Sequence, residues 1–204
     1  MLLKIHPDNP SSRQIKTVVD CLRSGGIIVY PTDTIYGLGC DINNKKAIEK
    51  IAQVKGIKKE KANFSFICSD LSHLSDFSRP ISNEVYKLMR KNLPGPFTFI
   101  LNANNNVPKL FQSKKKTVGI RVPNNNIIKM IVGEFGHPIM STSVRDKDKI
   151  IEYTTDPELI YEIYGKIADI VIDGGYGNNE ASTIVDCTQN EIVILRNGKG
   201  NLKF

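Results

Sequence analysis

The chain has 204 residues and a net charge of +7, from 28 basic and 21 acidic side chains, with 40% hydrophobic and 24% charged residues. A chain of this length is expected to form a single domain over 1–204, burying about 70% of the surface its unfolded form exposes. It contains no apolar run long enough to cross a membrane, and Met1–Pro10 lacks the apolar core and cleavage site of a signal peptide, so a cytoplasmic location is expected.

Ser11 and Ser12 provide an N-cap, after which Ile15, Val18, Val19 and Leu22 fall at helical spacing until Gly25-Gly26 stops the helix. Ile27–Tyr30 reads as a short buried strand that ends at Pro31, and Pro31–Gly39 reads as a loop, polar at one end. Lys45–Val54 fits a second helix with Ala47, Ile48 and Ile51 on one face. A charged loop over Lys55–Asn63 leads to a strand at Phe64–Cys68. Asp70–Phe77 and Asn83–Lys91 read as helices, Pro94-Gly95-Pro96 as a turn and Thr98–Leu101 as a strand. A polar turn at Asn104–Asn106 precedes a strand at Thr117–Val122. The remaining elements are a helix at Ile127–Phe135, a strand at Pro138–Ser143, a helix at Glu158–Ile167 and a strand at Ile170–Asp173. Ser182–Cys187 and Glu191–Arg196 read as the last strands. This alternation predicts an α/β protein with a twisted, mixed sheet covered by helices.

Cys21, Cys40, Cys68 and Cys187 are widely spaced, with no CxxC pair, which argues against a zinc site and for free thiols in a reducing compartment. No P-loop, dinucleotide fingerprint, HExxH or GxSxG is present. The chemistry must therefore lie in polar clusters at strand ends, where ligands bind in open α/β sheets. Pro31–Thr34 with Tyr36–Gly39 can bring backbone close to a ligand or form a plain turn. Lys55, Lys58, Lys59 and Lys61 suit a triphosphate or a nucleic-acid backbone, and a solvated loop accounts for them as well. After Lys114-Lys115-Lys116, Arg121 interrupts an apolar strand, where a guanidinium needs an anionic partner unless the position is an exposed edge. Strand alternation puts Thr117, Gly119 and Arg121 on one face. Ser141-Thr142-Ser143, Gly174–Gly177 with Ser182-Thr183, and Arg196 with Gly198 and Gly200 are further clusters. The excess of positive charge fits phosphate-bearing partners without choosing among nucleotide, RNA and DNA.

In this order, Tyr30–Gly39, Pro94–Thr98, Thr117–Pro123, Ser182–Asp186 and Leu195-Arg196 resemble the YrdC/YciO family over nearly the whole chain. The resemblance implies a concave, positively charged cavity and a synthase that joins threonine, bicarbonate and ATP into threonylcarbamoyl-AMP, releasing pyrophosphate in service of a tRNA modification. It implies threonine contacts at Thr34, Arg121 and Ser182, and ATP contacts at Lys55, Thr117, Ser143 and Arg196. Lys55 and Arg121 would carry the catalytic charge, and Mg2+ would bridge the phosphates with no protein ligand identified. Two positions depart from the synthases: Ile57-Lys58 stands where they carry Arg-Pro after the lysine, and Arg145 where they carry Asn after Ser143. With Ser141–Ser143 and the opening Ile5–Pro10, these resemble the YciO branch. Two other readings stay open. One is a module binding double-stranded RNA or tRNA through phosphates and shape, and the other an enzyme using ATP with another carboxylated substrate.

Overall fold

A computed structural model describes residues 1–56, 64–108, 116–144, 155–189 and 191–204. Ile57, Lys58, Lys59, Lys61, Lys114, Lys115 and Arg145 lie outside the described residues. The strands are β1 (Leu2–Lys4), β2 (Ile27–Tyr30), β3 (Gly37–Asp41), β4 (Ser65–Ile67), β5 (Phe97–Asn102), β6 (Thr117–Arg121), β7 (Ile139–Ser143), β8 (Ile170–Asp173), β9 (Thr183–Asp186) and β10 (Val193–Arg196). The helices are α1 (Ser12–Arg23), α2 (Lys45–Val54), α3 (Leu74–Phe77), α4 (Asn83–Asn92), α5 (Asn126–Phe135) and α6 (Pro157–Tyr164).

The described strands form one sheet in the order β1-β8-β2-β3-β7-β4-β6-β5-β9-β10. It is mixed, as expected: β4 and β6 run parallel, whereas β3, β7 and β4 alternate in direction. Alternate residues of the strands feed two apolar layers. On one face Val29, Leu38, Phe66, Phe99 and Ile120 pack with Ile48 and Ile51 of α2, Leu88 and Met89 of α4 and Ile160 of α6. On the other, Ile28, Tyr30, Ile67, Ile139 and Ile172 pack with Val18, Val19 and Leu22 of α1 and Ile127, Ile128 and Ile131 of α5. Each such side chain contributes roughly 1.5–3 kcal/mol when fully buried, so both layers hold the sheet firmly.

The structure corrects three expectations and adds β1, which the sequence reading did not assign. Gly37–Gly39 is not loop but the first part of β3, which pairs with β2 and β7. Its glycines depress strand propensity and hid it. β1 forms although only three residues long, because it aligns parallel to β8. The helix at Asp70–Phe77 shrinks to α3, since the Asp70 carboxylate accepts the Ser72 N–H at 2.7 Å and makes a side-chain turn instead. The last helix stops at Tyr164, whose carbonyl receives the N–H groups of Ile167 and Ala168 in a tightened turn.

The four cysteines are free, and burial pushes the thiols of Cys68 up to about 12 and of Cys187 up to about 11, which keeps them protonated and inert. Among the described residues no helix is long and apolar enough to cross a membrane.

Candidate functional site

α1 and α5 cover only part of their face of the sheet. The uncovered part begins where the apolar side chains end, and strand register defines it. Gly39 of β3 lies beside Ser141 of β7, which lies beside Ser65 of β4, which lies beside Gly119 of β6. Gly37 pairs with Ser143 in the next row. Thr98 of β5 approaches the same row, because a Cβ at Gly119 would stand 3.3 Å from its Cγ2 and 3.5 Å from the Ser65 Cβ. The result is a floor of glycine and hydroxyl side chains. Ser65, Thr98, Thr117 and Gly119 are half-buried and Ser143 is exposed, so this floor remains partly open.

The Tyr30 ring explains the glycines. A Cβ at Gly37 would sit 2.5 Å from its Cζ, and a Cβ at Gly39 would sit 3.1 Å from its Cε1 and 2.5 Å from the Met140 carbonyl oxygen. The fully buried ring donates its hydroxyl to Ser141 Oγ. Burial raises the phenol well above its ordinary range, so it stays a donor.

The segment Pro31–Ile35 forms one wall. Its turn is knitted by Thr32, whose Oγ1 accepts the Thr34 N–H at 3.0 Å and donates to the Ile35 carbonyl at 2.9 Å. Arg121 comes from the end of β6 to meet it. Its Nη2 lies 3.0 Å from Thr32 Oγ1, 2.7 Å from Asp33 Oδ1 and 2.6 Å from Thr34 Oγ1. The other Asp33 oxygen accepts the Asn124 N–H at 3.0 Å. The Arg121 and Asp33 side chains are each 11% exposed. β6 lies between β4 and β5, so Arg121 occupies an interior strand rather than an exposed edge. Its Nε is buried and has no acceptor among the described residues.

A second cluster faces this one. Ser182 Oγ is 2.9 Å from Thr98 Oγ1, and Arg196 holds the Ser182 carbonyl with Nε at 3.0 Å and Nη2 at 2.7 Å. Lys199, just beyond β10, donates from Nζ to the Asp33 carbonyl at 2.8 Å and ties the C-terminal segment to the wall.

The site residues expected from sequence fall into two groups. Thr34, Arg121, Ser182 and Arg196 gather around the C-terminal end of β6, with Thr34 in direct contact with Arg121 and Ser182 with Arg196. Thr117 and Ser143 belong to the opposite end of the floor, and Lys55 lies at that end of the sheet but caps α2, which packs on the other face. Thr117 opens β6 and Ser143 pairs with Gly37 at the start of β3. β3 and β4 both run antiparallel to β7, so α2 between them must return Lys55, its C-cap, to that same end. Arg196 is thus placed with the expected threonine contacts rather than with the other expected ATP contacts. Sequence reading missed Asp33 as the partner of Arg121, Thr98 as the partner of Ser182, Lys199, and the Tyr30 ring. An acid inside a Thr-rich turn was the available signal for Asp33; the other partners needed strand register.

A family model covering Sua5, YciO and YrdC, described as telomere recombination, matches residues 20–198. The YciO protein of Escherichia coli K12 is 42% identical over 201 residues, covering 98% of this chain and 96% of its own. The threonylcarbamoyl-AMP synthase of Coxiella burnetii (strain RSA 493) is 30% identical over 187 residues, covering 90% of this chain and 98% of its own. In structure, the chain is similar to the crystal structure of E. coli YciO, with a TM-score of 0.92 at 40% identity over 100% of this chain and 98% of the other. It is also similar to P. abyssi Sua5 complexed with L-threonine, with a TM-score of 0.87 at 26% identity, covering 97% of this chain and 57% of that one.

Proposed function

The chain belongs to the Sua5/YciO/YrdC family, and from that premise we propose that it is a synthase of the threonylcarbamoyl-AMP type. In this reaction the amine of threonine takes up bicarbonate with loss of water, giving a carbamate. A carbamate oxygen attacks the α-phosphorus of ATP, the bond to the β-phosphate oxygen breaks, and pyrophosphate leaves.

The observation that supports this reading is the state of Arg121. A guanidinium has five N–H donors, and Nη2 carries only two of them. Every contact of Arg121 with Thr32, Asp33 and Thr34 uses Nη2. Nε is buried without an acceptor, and a donor left so costs free energy that a ligand oxygen can recover. The Thr34 Oγ1 accepts from Arg121 and lies 3.2 Å from Thr32 Oγ1, and because the Thr32 hydroxyl donates to Ile35, the Thr34 hydroxyl donates to Thr32 and must turn from it to meet a ligand. A small carboxylate suits this buried charged donor, and L-threonine is the ligand named in the P. abyssi Sua5 structure. One buried donor calls for one small anionic group, whereas RNA binding rests on many exposed phosphate contacts, which supports the small-molecule reading.

ATP would lie along the open part of the floor toward Thr117, Ser143 and Lys55, where Gly119 lets it approach the backbone closely, whereas the Tyr30 ring covers Gly37 and Gly39. Mg2+ would enter on the triphosphate and offset its charge, because the acidic side chain in the site, Asp33, has both oxygens engaged. Displacement at phosphorus depends mainly on positioning and charge, which this chain's own donors supply. The departures at Ile57 and Arg145 change the charged groups of the family pattern and predict slower turnover than in the synthases.

Thermal unfolding tests the binding half of this reading. ATP and threonine should each raise the melting temperature, together by more than either alone, since a ligand at a hundred times its Kd adds about 2.7 kcal/mol to the native state. Stabilisation by RNA that fades steeply with salt, with none by threonine, would instead favour the RNA-binding reading.

A further inference from the structure

We infer that Asp33 is the positioning residue of the amino-acid subsite: it locks the Arg121 guanidinium by Nη2 and so fixes which of its donors are offered to a carboxylate. The ligand part of this inference rests on the threonine reading above. The positioning part rests on geometry alone.

Both oxygens of Asp33 accept, one from Arg121 Nη2 at 2.7 Å and one from the Asn124 N–H at 3.0 Å. Each Asp33 oxygen thus faces Arg121 or the backbone, the side chain is 11% exposed, and its negative charge repels a ligand carboxylate. Asp33 therefore acts through Arg121 rather than on the substrate. Nη2 is held by three oxygens of one turn, while Nε, which is buried, has no acceptor among the described residues. The guanidinium is planar, so holding one terminal nitrogen and the Cδ stem sets the direction of every remaining donor. The backbone of Asp33 is fixed as well, because its carbonyl accepts from Lys199 at 2.8 Å.

The pairing has an electrostatic consequence. Arg121 with Asp33 is net neutral, so the subsite attracts a carboxylate through directed donors more than through unbalanced charge. It would discriminate by shape. Removing the acid while keeping the arginine frees the guanidinium to turn and leaves its charge unbalanced. A generic anion then loses nothing, while a ligand that needs fixed donors loses its fit.

Asp33→Asn is the direct test. The amide has one oxygen and one NH2, so either orientation sets a donor against Arg121 Nη2 or against the Asn124 N–H. The variant nearly preserves shape while removing the charge and exchanging one acceptor for a donor. We expect threonine affinity, measured by titration calorimetry, to fall at least tenfold while ATP affinity stays within threefold. Asp33→Glu, which restores a carboxylate, should recover part of the threonine loss. A fold-level defect would lower both ligands together and would not answer to Glu. Nitrogen-15 NMR of the arginine side chains supplies an arm without ligand. The Arg121 Nε–H signal should be sharp and slow to exchange in the native protein and broadened in Asp33→Asn. An unchanged Arg121 signal, unchanged threonine affinity in the folded variant, or a parallel loss of ATP would overturn the inference. Failure of the unaltered protein to bind threonine would refute the amino-acid reading instead, and the NMR arm would still decide the role of Asp33.

Discussion

Arg121→Ala is expected to abolish threonine binding and to destabilise the chain. Removing the guanidinium takes away the donors that suit the carboxylate, a loss of about 2–5 kcal/mol when a buried charged partner is removed. Each 1.4 kcal/mol is about tenfold, so the affinity should drop by a factor of at least roughly 30. The fold suffers for a separate reason. Asp33 would keep its charge at 11% exposure with only the Asn124 N–H as partner. Stranding one member of a buried pair costs about 3–5 kcal/mol. The two effects separate in the double change Arg121→Ala with Asp33→Ala, which should regain stability in urea unfolding without regaining threonine. Arg121→Lys should bind threonine weakly, because one ammonium cannot hold the turn and face the ligand at once. Threonine stabilisation that survives Arg121→Ala would remove this residue from the site.

Gly119→Val should block the floor while the chain still folds. A Cβ here meets the Thr98 methyl at 3.3 Å and the Ser65 Cβ at 3.5 Å, contacts that a small side-chain shift relieves. Valine also suits a strand. Its methyl groups would stand on the surface along which ATP is proposed to lie, and would press on Thr98, the partner of Ser182. Loss of ATP affinity by tenfold or more is expected, with a stability change of about 1 kcal/mol. Gly39→Ala offers the contrast. Its Cβ would meet the Met140 carbonyl at 2.5 Å, and backbone in the middle of the sheet cannot move aside. That variant should fail by unfolding rather than by losing a ligand. If Gly119→Val binds ATP normally, the nucleotide lies elsewhere.

Sequence and structure agree where local chemistry decides and part where long-range pairing does. Arg121 was legible because a charge inside an apolar strand demands a partner. The partner was not, since Asp33 is 88 positions away and sits in a turn that reads as ordinary. The helices α1, α2, α4 and α5 were legible from apolar spacing. β3 was hidden by the glycines that the Tyr30 ring requires, and the reason for them appears only when β2 and β3 are paired. The floor itself combines Gly39, Ser141, Ser65 and Gly119 from four strands far apart in sequence, and no single motif contains it. Arg196, expected as a phosphate contact from its family position, gives Nε and Nη2 to the Ser182 carbonyl, a pairing that likewise needed strand register to see.

The most direct test of the account is release of pyrophosphate from ATP, followed with and without threonine and with and without bicarbonate, with the adenylate product identified by mass spectrometry. The account predicts release that requires both co-substrates together and yields threonylcarbamoyl-AMP, at a rate below that of the committed synthases. Release indifferent to threonine, or no adenylate product under saturating ATP, threonine and bicarbonate, would contradict it.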